Sequence, residues 1–458
     1  MTLASALAEF SAGLRAGAIP EAVRRAAQWH VVDSIGVAIA GADPAETSGV
    51  ALGRAAQAWR GIGATVLGTG SSARPESAAL LNGALAQELE MDDKHGSSLA
   101  RPGSTVTPAV LAVAEERGAT IEDAVTAIVA GYEVMIRLGF VAGKRFLARG
   151  YHTSSLLGGF GAAAAAGRLR GLDAARVSDA FGIAGTFASG IQESTRTGST
   201  SKVLHGGWGA HAGIAATDLA AAGITGPDTV FEGEMGFFRT HLTPIEGELD
   251  WAAGADGLGT RWHLPDTAIK PYPCCQLLHA FIDGVKQLLA EGLPVGDIQR
   301  IRCLLAEPGL TLVTQPAERK TQPTEPHEAR FSLPYVVASA LIHGDVGLAT
   351  FRPRALSDPD VRALASTVDT GEDPDSDYPK HCPAVLEIEA GGRTWHKRVP
   401  YHPGCPEAPL SDDDVLDKFE RNTGWLLGDD ARKIGAELAA LPGTATVGDA
   451  LAMVGGAA

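Results

Sequence analysis

Basic residues are scarce in this chain: 38 lysines and arginines stand against 54 aspartates and glutamates, a formal net charge of -16. A nucleic-acid partner would need a basic face to neutralise phosphates, so that class is excluded. A small anionic ligand stays open, because a single pocket can be positive on an acidic protein. Aromatic residues make up only 6%. With 56 glycines and many alanines, this points to closely packed helices rather than a β-sandwich. The five cysteines are odd in number and unpatterned, and no Cys-x-x-Cys or His-x-x-x-His spacing occurs. Neither a disulfide framework nor a zinc site is expected, and no metal is called. No uninterrupted apolar run reaches transmembrane length. Met1 to Gly17 carries Glu9 inside its apolar stretch and has no basic leader, so a cytoplasmic protein without membrane contact is expected.

Several common catalytic signatures are missing too. Gly198 to Lys202 lacks the full Gly-x-x-x-x-Gly-Lys-Ser/Thr loop and a preceding strand. His205-Gly206-Gly207 resembles a lipase oxyanion segment, yet no Gly-x-Ser-x-Gly elbow exists to serve it. No Gly-x-Gly-x-x-Gly opens a βαβ unit. Nucleotide phosphate binding, serine hydrolysis and hydride transfer therefore drop out.

What is present is length and helical periodicity. A chain of 458 residues is too long for one ordinary core and predicts two domains. Helical patterns recur at Ala22 to Gly41, Glu76 to Met91, Pro108 to Glu116, Ile121 to Leu138, Gly159 to Arg170 and Asp173 to Ser189. Thr120 and Ser411 are expected N-caps. After Trp262 the character changes. Ile298 to Leu305, Ala384 to Glu389 and Thr394 to Val399 read as strands, the last two joined by the hairpin signal Gly391-Gly392. Phe331 to His343 and Asp358 to Ser366 read as helices, and Asp369 to Tyr378 as an exposed loop. The fold class is mostly α with a smaller α+β domain. The expected limits are 1–262 and 404–458 for an all-helical domain built from both chain ends, and 263–403 for an inserted α+β lid.

Three stretches carry polar groups that this pattern does not require. Gly198 to Gly213 sets Lys202, His205 and His211 among glycines, where backbone can approach a ligand closely. A lysine there can hold a carboxylate as a compact point charge. Gly150 to Ser154 contains His152, and Ile269 to Cys274 contains Lys270 and Tyr272. Together they suggest an enzyme acting on a small di- or tricarboxylate. A fourth stretch, Glu90-Met-Asp92-Asp93-Lys94-His95, ends a helix where carboxylates oppose the macrodipole. It leads to Arg101-Pro102-Gly103, whose arginine can grip a carboxylate bidentately. Cys274 reads as a buried small hydrophobe rather than a nucleophile.

With these segments in place, the chain resembles the MmgE/PrpD family, whose activities include 2-methylcitrate dehydratase, cis-aconitate decarboxylase and iminodisuccinate epimerase. The resemblance extends through Val32 to Gly36, Gly131 to Leu138, Gly223 to Pro227, Phe231 to Phe237, Arg330 to Tyr335, Pro409 to Ser411 and Lys418-Phe419. It implies a helical domain with an α+β lid, a homodimer, a pocket between the domains, and neither metal nor organic cofactor. His152, Lys202 and Lys270 fall on the family's substrate-site positions, and Asp92 and Asp93 on its paired acidic residues. Two departures stand out. The family commonly shows Asp-Asp-Thr followed by His-Pro, where this chain has Asp93-Lys94 and Arg101-Pro102. The family's aspartate three residues before Asp93 is Glu90 here.

All the reactions of the family create carbanion character beside a carboxylate, which surrounding cations can stabilise. His152, Asp93, Lys202 and Lys270 are the catalytic candidates. Arg101, Asp92, His95 and Tyr272 join the two lysines as substrate-binding candidates. The expected function is elimination of water from a hydroxylated tricarboxylate such as 2-methylcitrate. Epimerisation of an iminodisuccinate-like dicarboxylate and cis-aconitate-type decarboxylation are the alternatives within the class. A non-catalytic carboxylate-binding scaffold is the alternative outside it.

Overall fold

A computed structural model describes residues 1–197, 199–245, 247–378 and 380–455, and the chain divides into two units. The first comprises Met1–Glu88, Asp92–Ala268 and the return from Ser411; the second comprises Leu89–Met91 and Ile269–Leu410. Helix takes up 60% of the chain and strand 9%, so the protein is mostly α with a smaller α+β part.

In the first unit the helices Pro75–Glu88, Ile121–Ala142, Thr153–Leu169 and Leu204–Ala221 form the centre. The last of these absorbs most of the glycine-rich stretch, from Leu204 onward. Glycine weakens an isolated helix by about 1 kcal/mol. Here the cost is offset because backbones meet where no side chain fits. A Cβ at Gly207 would lie 1.9 Å from the Leu80 carbonyl oxygen, and one at Gly83 2.6 Å from Gly207 Cα. Gly207→Ala is therefore expected to destabilise this unit by about 1–3 kcal/mol, the usual range for over-packing. Gly53, with nothing within 4 Å of its would-be Cβ, provides the control. Gly53→Ala should be neutral or stabilising, and equal urea midpoints for the two variants would contradict the packing argument.

Helix Ile121–Ala142 is long and apolar enough to cross a membrane by length and composition, yet it is largely buried in protein. It starts at Thr120, whose hydroxyl accepts the Asp123 N–H. Its only buried charges neutralise each other: Arg137 Nε lies 3.2 Å from Glu133 Oε2. Glu133 also accepts the N–H groups of His263 and Leu264, and Arg137 donates to the carbonyls of Asp256 and Arg261. Two short antiparallel pairs, Ala64–Val66 with Ser71–Ala73 and Lys94–His95 with Thr267–Ala268, add a little strand to this helical unit.

The returning chain is anchored at two places. Ser411 and Asp414 form a capping box at the start of helix Asp412–Leu427. This helix lies on Glu21–Gly41, where a Cβ at Gly36 would meet Phe419 at 2.8 Å. Lys418 Nζ sits 2.6 Å from Asp33 Oδ1 in the same contact, with both side chains buried. Further on, Ile121 N donates to Ala445 O and Val447 N to Ala119 O.

The second unit is built on a four-stranded sheet in the order Val368–Glu372, Ile298–Leu305, Ala384–Ala390, Arg393–Val399. Ile301, Cys303 and Leu305 alternate inward along the second of these, the period expected of a half-buried strand. Gly391 and Gly392, with φ of 58° and 76°, make the hairpin turn. Helix His279–Ala290 packs on the sheet, with Gly284 against Leu386. One expectation fails: the loop expected from Asp369 to Tyr378 begins as a strand, Val368–Glu372, that pairs in parallel with Ile298–Leu305. Its side chains are largely exposed, so it carries no alternating apolar signal. An acidic, partly polar strand of this kind suits a sheet edge.

Candidate active site

Asp93 is almost completely buried, with two hydrogen-bond donors and one imidazole nitrogen close to its carboxylate. Its Oδ1 accepts the Gly103 N–H at 2.7 Å; its Oδ2 accepts the Tyr132 hydroxyl at 2.8 Å and lies 2.8 Å from His30 Nδ1. Burial and the Asp93 charge push the Tyr132 phenol well above its ordinary pKa, so it remains a donor. Only glycine fits at position 103, where a Cβ would meet Asp93 Oδ1 at 2.7 Å. Asp92 grips the same loop from its other side. It lies 3.0 Å from Arg101 Nη1 and accepts the Ser104 hydroxyl at 2.8 Å. The paired acids thus hold the loop that carries Arg101, whose side chain is 12% exposed. Behind them, burial pushes Asp33 up and Lys418 down, and each is opposed by the charge of the other.

His152 forms the N-cap position of helix Thr153–Leu169, its own N–H donating to Gly190 O at 3.0 Å. Thr153 Oγ1 donates to Leu99 O at 2.6 Å. Leu99 itself takes a φ of 59°, rare for a side chain of that kind. Lys202 is 2% exposed, in the short helical turn Thr200–Val203 before helix Leu204–Ala221. Gly198, at the head of the glycine-rich stretch, lies outside the described residues.

His205 connects these two stretches. Its ring lies 5.1 Å from that of His152. Burial first, and the Lys202 charge second, lower its pKa to about 4, so it is neutral at pH 7. The tie is reinforced by Gln87, which accepts the Gly206 N–H at 2.9 Å and donates to Ser154 Oγ at 3.3 Å. The structure therefore brings His152 and Lys202 around His205, a group the sequence reading did not place in the site. Its signal was the position three residues after Lys202, in the same glycine-rich stretch. His211, the other histidine there, stacks on Trp208 and faces Glu76 O.

Lys270 and Tyr272 stand in the second unit. Lys270 is fully buried and donates to Glu90 O at 2.8 Å. Glu90 has a φ of 54°. The Tyr272 ring lies 5.3 Å from His279. Burial drives the Cys274 thiol well above its usual range, which makes it inert as a nucleophile. Among the described residues, no three His, Cys, Asp or Glu side chains are grouped to hold a metal ion.

His95 is placed in packing. Its Nδ1 faces the Ser98 N–H and hydroxyl, and its ring lies against Phe140 at 5.3 Å. Burial, then His263, lowers its pKa to about 3. An unfolded histidine titrates near 6.5, so between these values the unfolded chain binds more protons. The neutral burial of His95 therefore stabilises the fold above about pH 6.5, and this contribution is lost as pH falls toward 3. His95→Gln should remove one proton from the acid limb, a slope of about 1.4 kcal/mol per pH unit. Urea unfolding at pH 6, 5 and 4 checks this; an unchanged slope would show that His95 is already charged in the fold.

Comparison with known proteins agrees along nearly the whole chain. A family model described as the MmgE/PrpD N-terminal domain matches residues 5–248, and the MmgE/PrpD C-terminal domain matches residues 272–441. The cis-aconitate decarboxylase-like protein oryM of Aspergillus oryzae is 27% identical, across 86% of this chain and 85% of that protein. A cis-aconitate decarboxylase of Aspergillus terreus is 28% identical, across 91% and 88%. The cis-aconitate decarboxylase of Homo sapiens is also 28% identical, across 91% and 86%. With both family domains matched in order, the first over more than half its length, the chain belongs to the MmgE/PrpD family and is an enzyme of the lyase type.

Proposed function

We propose that this lyase eliminates water from a small hydroxylated tricarboxylate, with 2-methylcitrate as the first candidate. The observation that carries the reading is a buried lysine, Lys202, gathered with two imidazoles, His152 and the neutral His205. In this reading His152 takes the proton from the carbon beside a carboxylate. Lys202 stabilises the negative charge that develops there. The carbon–oxygen bond then breaks, and the hydroxyl takes up the proton held by His152 and leaves as water. His205, being neutral, lets His152 gain a proton without a second cation against its ring. Asp92 and Asp93 hold the loop from which Arg101 binds a carboxylate. On the family resemblance the enzyme works as a homodimer without metal or organic cofactor, and its acidic composition and few cysteines support a cytoplasmic protein that binds no nucleic acid.

A second reading, decarboxylation of cis-aconitate, is favoured by the names of the three relatives above. Incubation with 2-methylcitrate, citrate, cis-aconitate and iminodisuccinate in deuterated water separates the cases. Loss of water from 2-methylcitrate or citrate, with a new alkene signal, is the expected result. Release of carbon dioxide from cis-aconitate would put the second reading in its place. Deuterium entering iminodisuccinate without any leaving group would point to epimerisation and overturn both.

A further inference from the structure

Gln87 is fully buried near the end of helix Pro75–Glu88, and its amide is engaged on both sides. Oε1 accepts the Gly206 N–H at 2.9 Å, and Nε2 donates to Ser154 Oγ at 3.3 Å. The Gly206 N–H can only donate, so it fixes which way the amide points. The two partners open different helices. Ser154 lies in the first turn of Thr153–Leu169, just after His152. Gly206 lies in the first turn of Leu204–Ala221, next to His205 and one turn after Lys202. That helix has no side-chain cap at Val203, and first-turn N–H groups take acceptors from outside their helix. Gln87 supplies one from a third helix.

The same contact reaches the Arg101 loop. A Cβ at Gly206 would lie 2.7 Å from Ser104 O and 2.9 Å from Ser104 Oγ. That hydroxyl donates to Asp92 Oδ2, and Asp92 Oδ1 lies 3.0 Å from Arg101 Nη1. One turn before Gln87, a Cβ at Gly83 would meet both Gly207 Cα and Ser104 O at 2.6 Å. These backbones touch, so the side chain at position 87 reaches Gly206 across a fixed distance. Packing alone does not call for an amide there, since a methionine would fill the space with no polar group to bury. The two hydrogen bonds are what the amide adds.

We propose that Gln87 is a positioning residue of the lyase: by spanning the first turns of these two helices, it sets the His152 imidazole against Lys202 and His205. This rests on the roles given above to His152 and Lys202. A proton acceptor and a stabilising cation must meet neighbouring atoms of one transition state, where a displacement of about 1 Å costs about 100-fold in rate. Gln87→Met keeps the volume and removes both bonds. It should lower kcat by about 10- to 100-fold on the acid that the parent turns over, with KM changed less than about threefold. Ser154→Ala cuts only the arm toward His152, a milder change to the fold, and should lower kcat by about threefold or more. The double variant should be no slower than Gln87→Met alone, because one tie is cut twice. A second readout needs no substrate: carbethoxylation of the full-length protein by diethyl pyrocarbonate, mapped by mass spectrometry. His152 is 5% exposed and should label slowly in the parent. In both variants it should label about threefold faster or more, while His343, whose side chain is exposed on the second unit, keeps its rate. If the parent turns over none of the acids above and His152 labelling still responds, the reaction assignment fails and the tie to His152 stands. Unchanged kcat in both variants, a loss confined to KM, effects that multiply in the double variant, or unchanged His152 labelling would each overturn the proposal.

Discussion

Lys418→Met is expected to cost the helical unit about 3–5 kcal/mol, the range found when one partner of a buried ion pair is removed. Lys418 and Asp33 are 1% and 3% exposed, with Nζ and Oδ1 2.6 Å apart. Without the lysine, Asp33 keeps its burial, and the nearby Asp93 charge adds to the penalty. Its pKa then rises further above the unfolded value, so the group resists ionising in the fold. The sign follows from that shift. The loss relative to the parent is largest at neutral pH, and narrows as pH falls toward the unfolded carboxylate pKa near 4. Adding Asp33→Asn should recover most of the stability by removing the stranded charge. Urea unfolding at pH 7 and pH 4.5 measures both effects, and a cost below about 1 kcal/mol at pH 7 would contradict the argument.

Lys202→Met should lower kcat by about 10²- to 10³-fold, the usual consequence of removing one group aimed at developing negative charge. The loss should appear in kcat more than in KM, because the charge is needed most in the transition state. Lys202→Arg should restore little. The buried site accommodates a compact ammonium, and a planar guanidinium directs its hydrogen bonds differently. Steady-state kinetics on the acid that the wild-type enzyme turns over decides it, with the urea midpoint confirming an intact fold. A decrease below tenfold, or one confined to KM, would move Lys202 from charge stabilisation to simple binding.

Much of the secondary structure was legible in the sequence because its determinants are local. Thr120 and Ser411 announce their helices through hydroxyls that reach N–H groups three residues on. The Gly391-Gly392 turn needs positive φ at both positions, and glycine supplies it without strain. Ile301, Cys303 and Leu305 display the two-residue period of their strand. Val368–Glu372 was not legible: its pairing is made by backbone atoms, and its side chains neither alternate nor enter the core. The packing role of the glycines of Leu204–Ala221 was hidden for a related reason. Alone they argue against a helix, and only the carbonyl of Leu80 and the backbone of Gly83 make them an advantage.

The same division runs through the site. That His152, Lys202 and Lys270 interrupt small or apolar stretches could be read from the sequence alone. The work of Asp93 could not, because its partners come from three separate segments: His30 on one helix, Tyr132 on another, and Gly103 on the loop. Nor could the fate of two histidines. His95, beside the acidic pair, is enclosed by Phe140 and Ser98 and held neutral. His205 is brought against His152 and into the field of Lys202. The sequence by itself determined helix caps, turns, strand periodicity and the kinds of chemical group available, since these depend on neighbours a few residues away. Tertiary structure alone decided which charges meet, which imidazoles stay neutral and which glycines admit another backbone. Burial and partner distance set those outcomes, and both come from residues far apart along the chain.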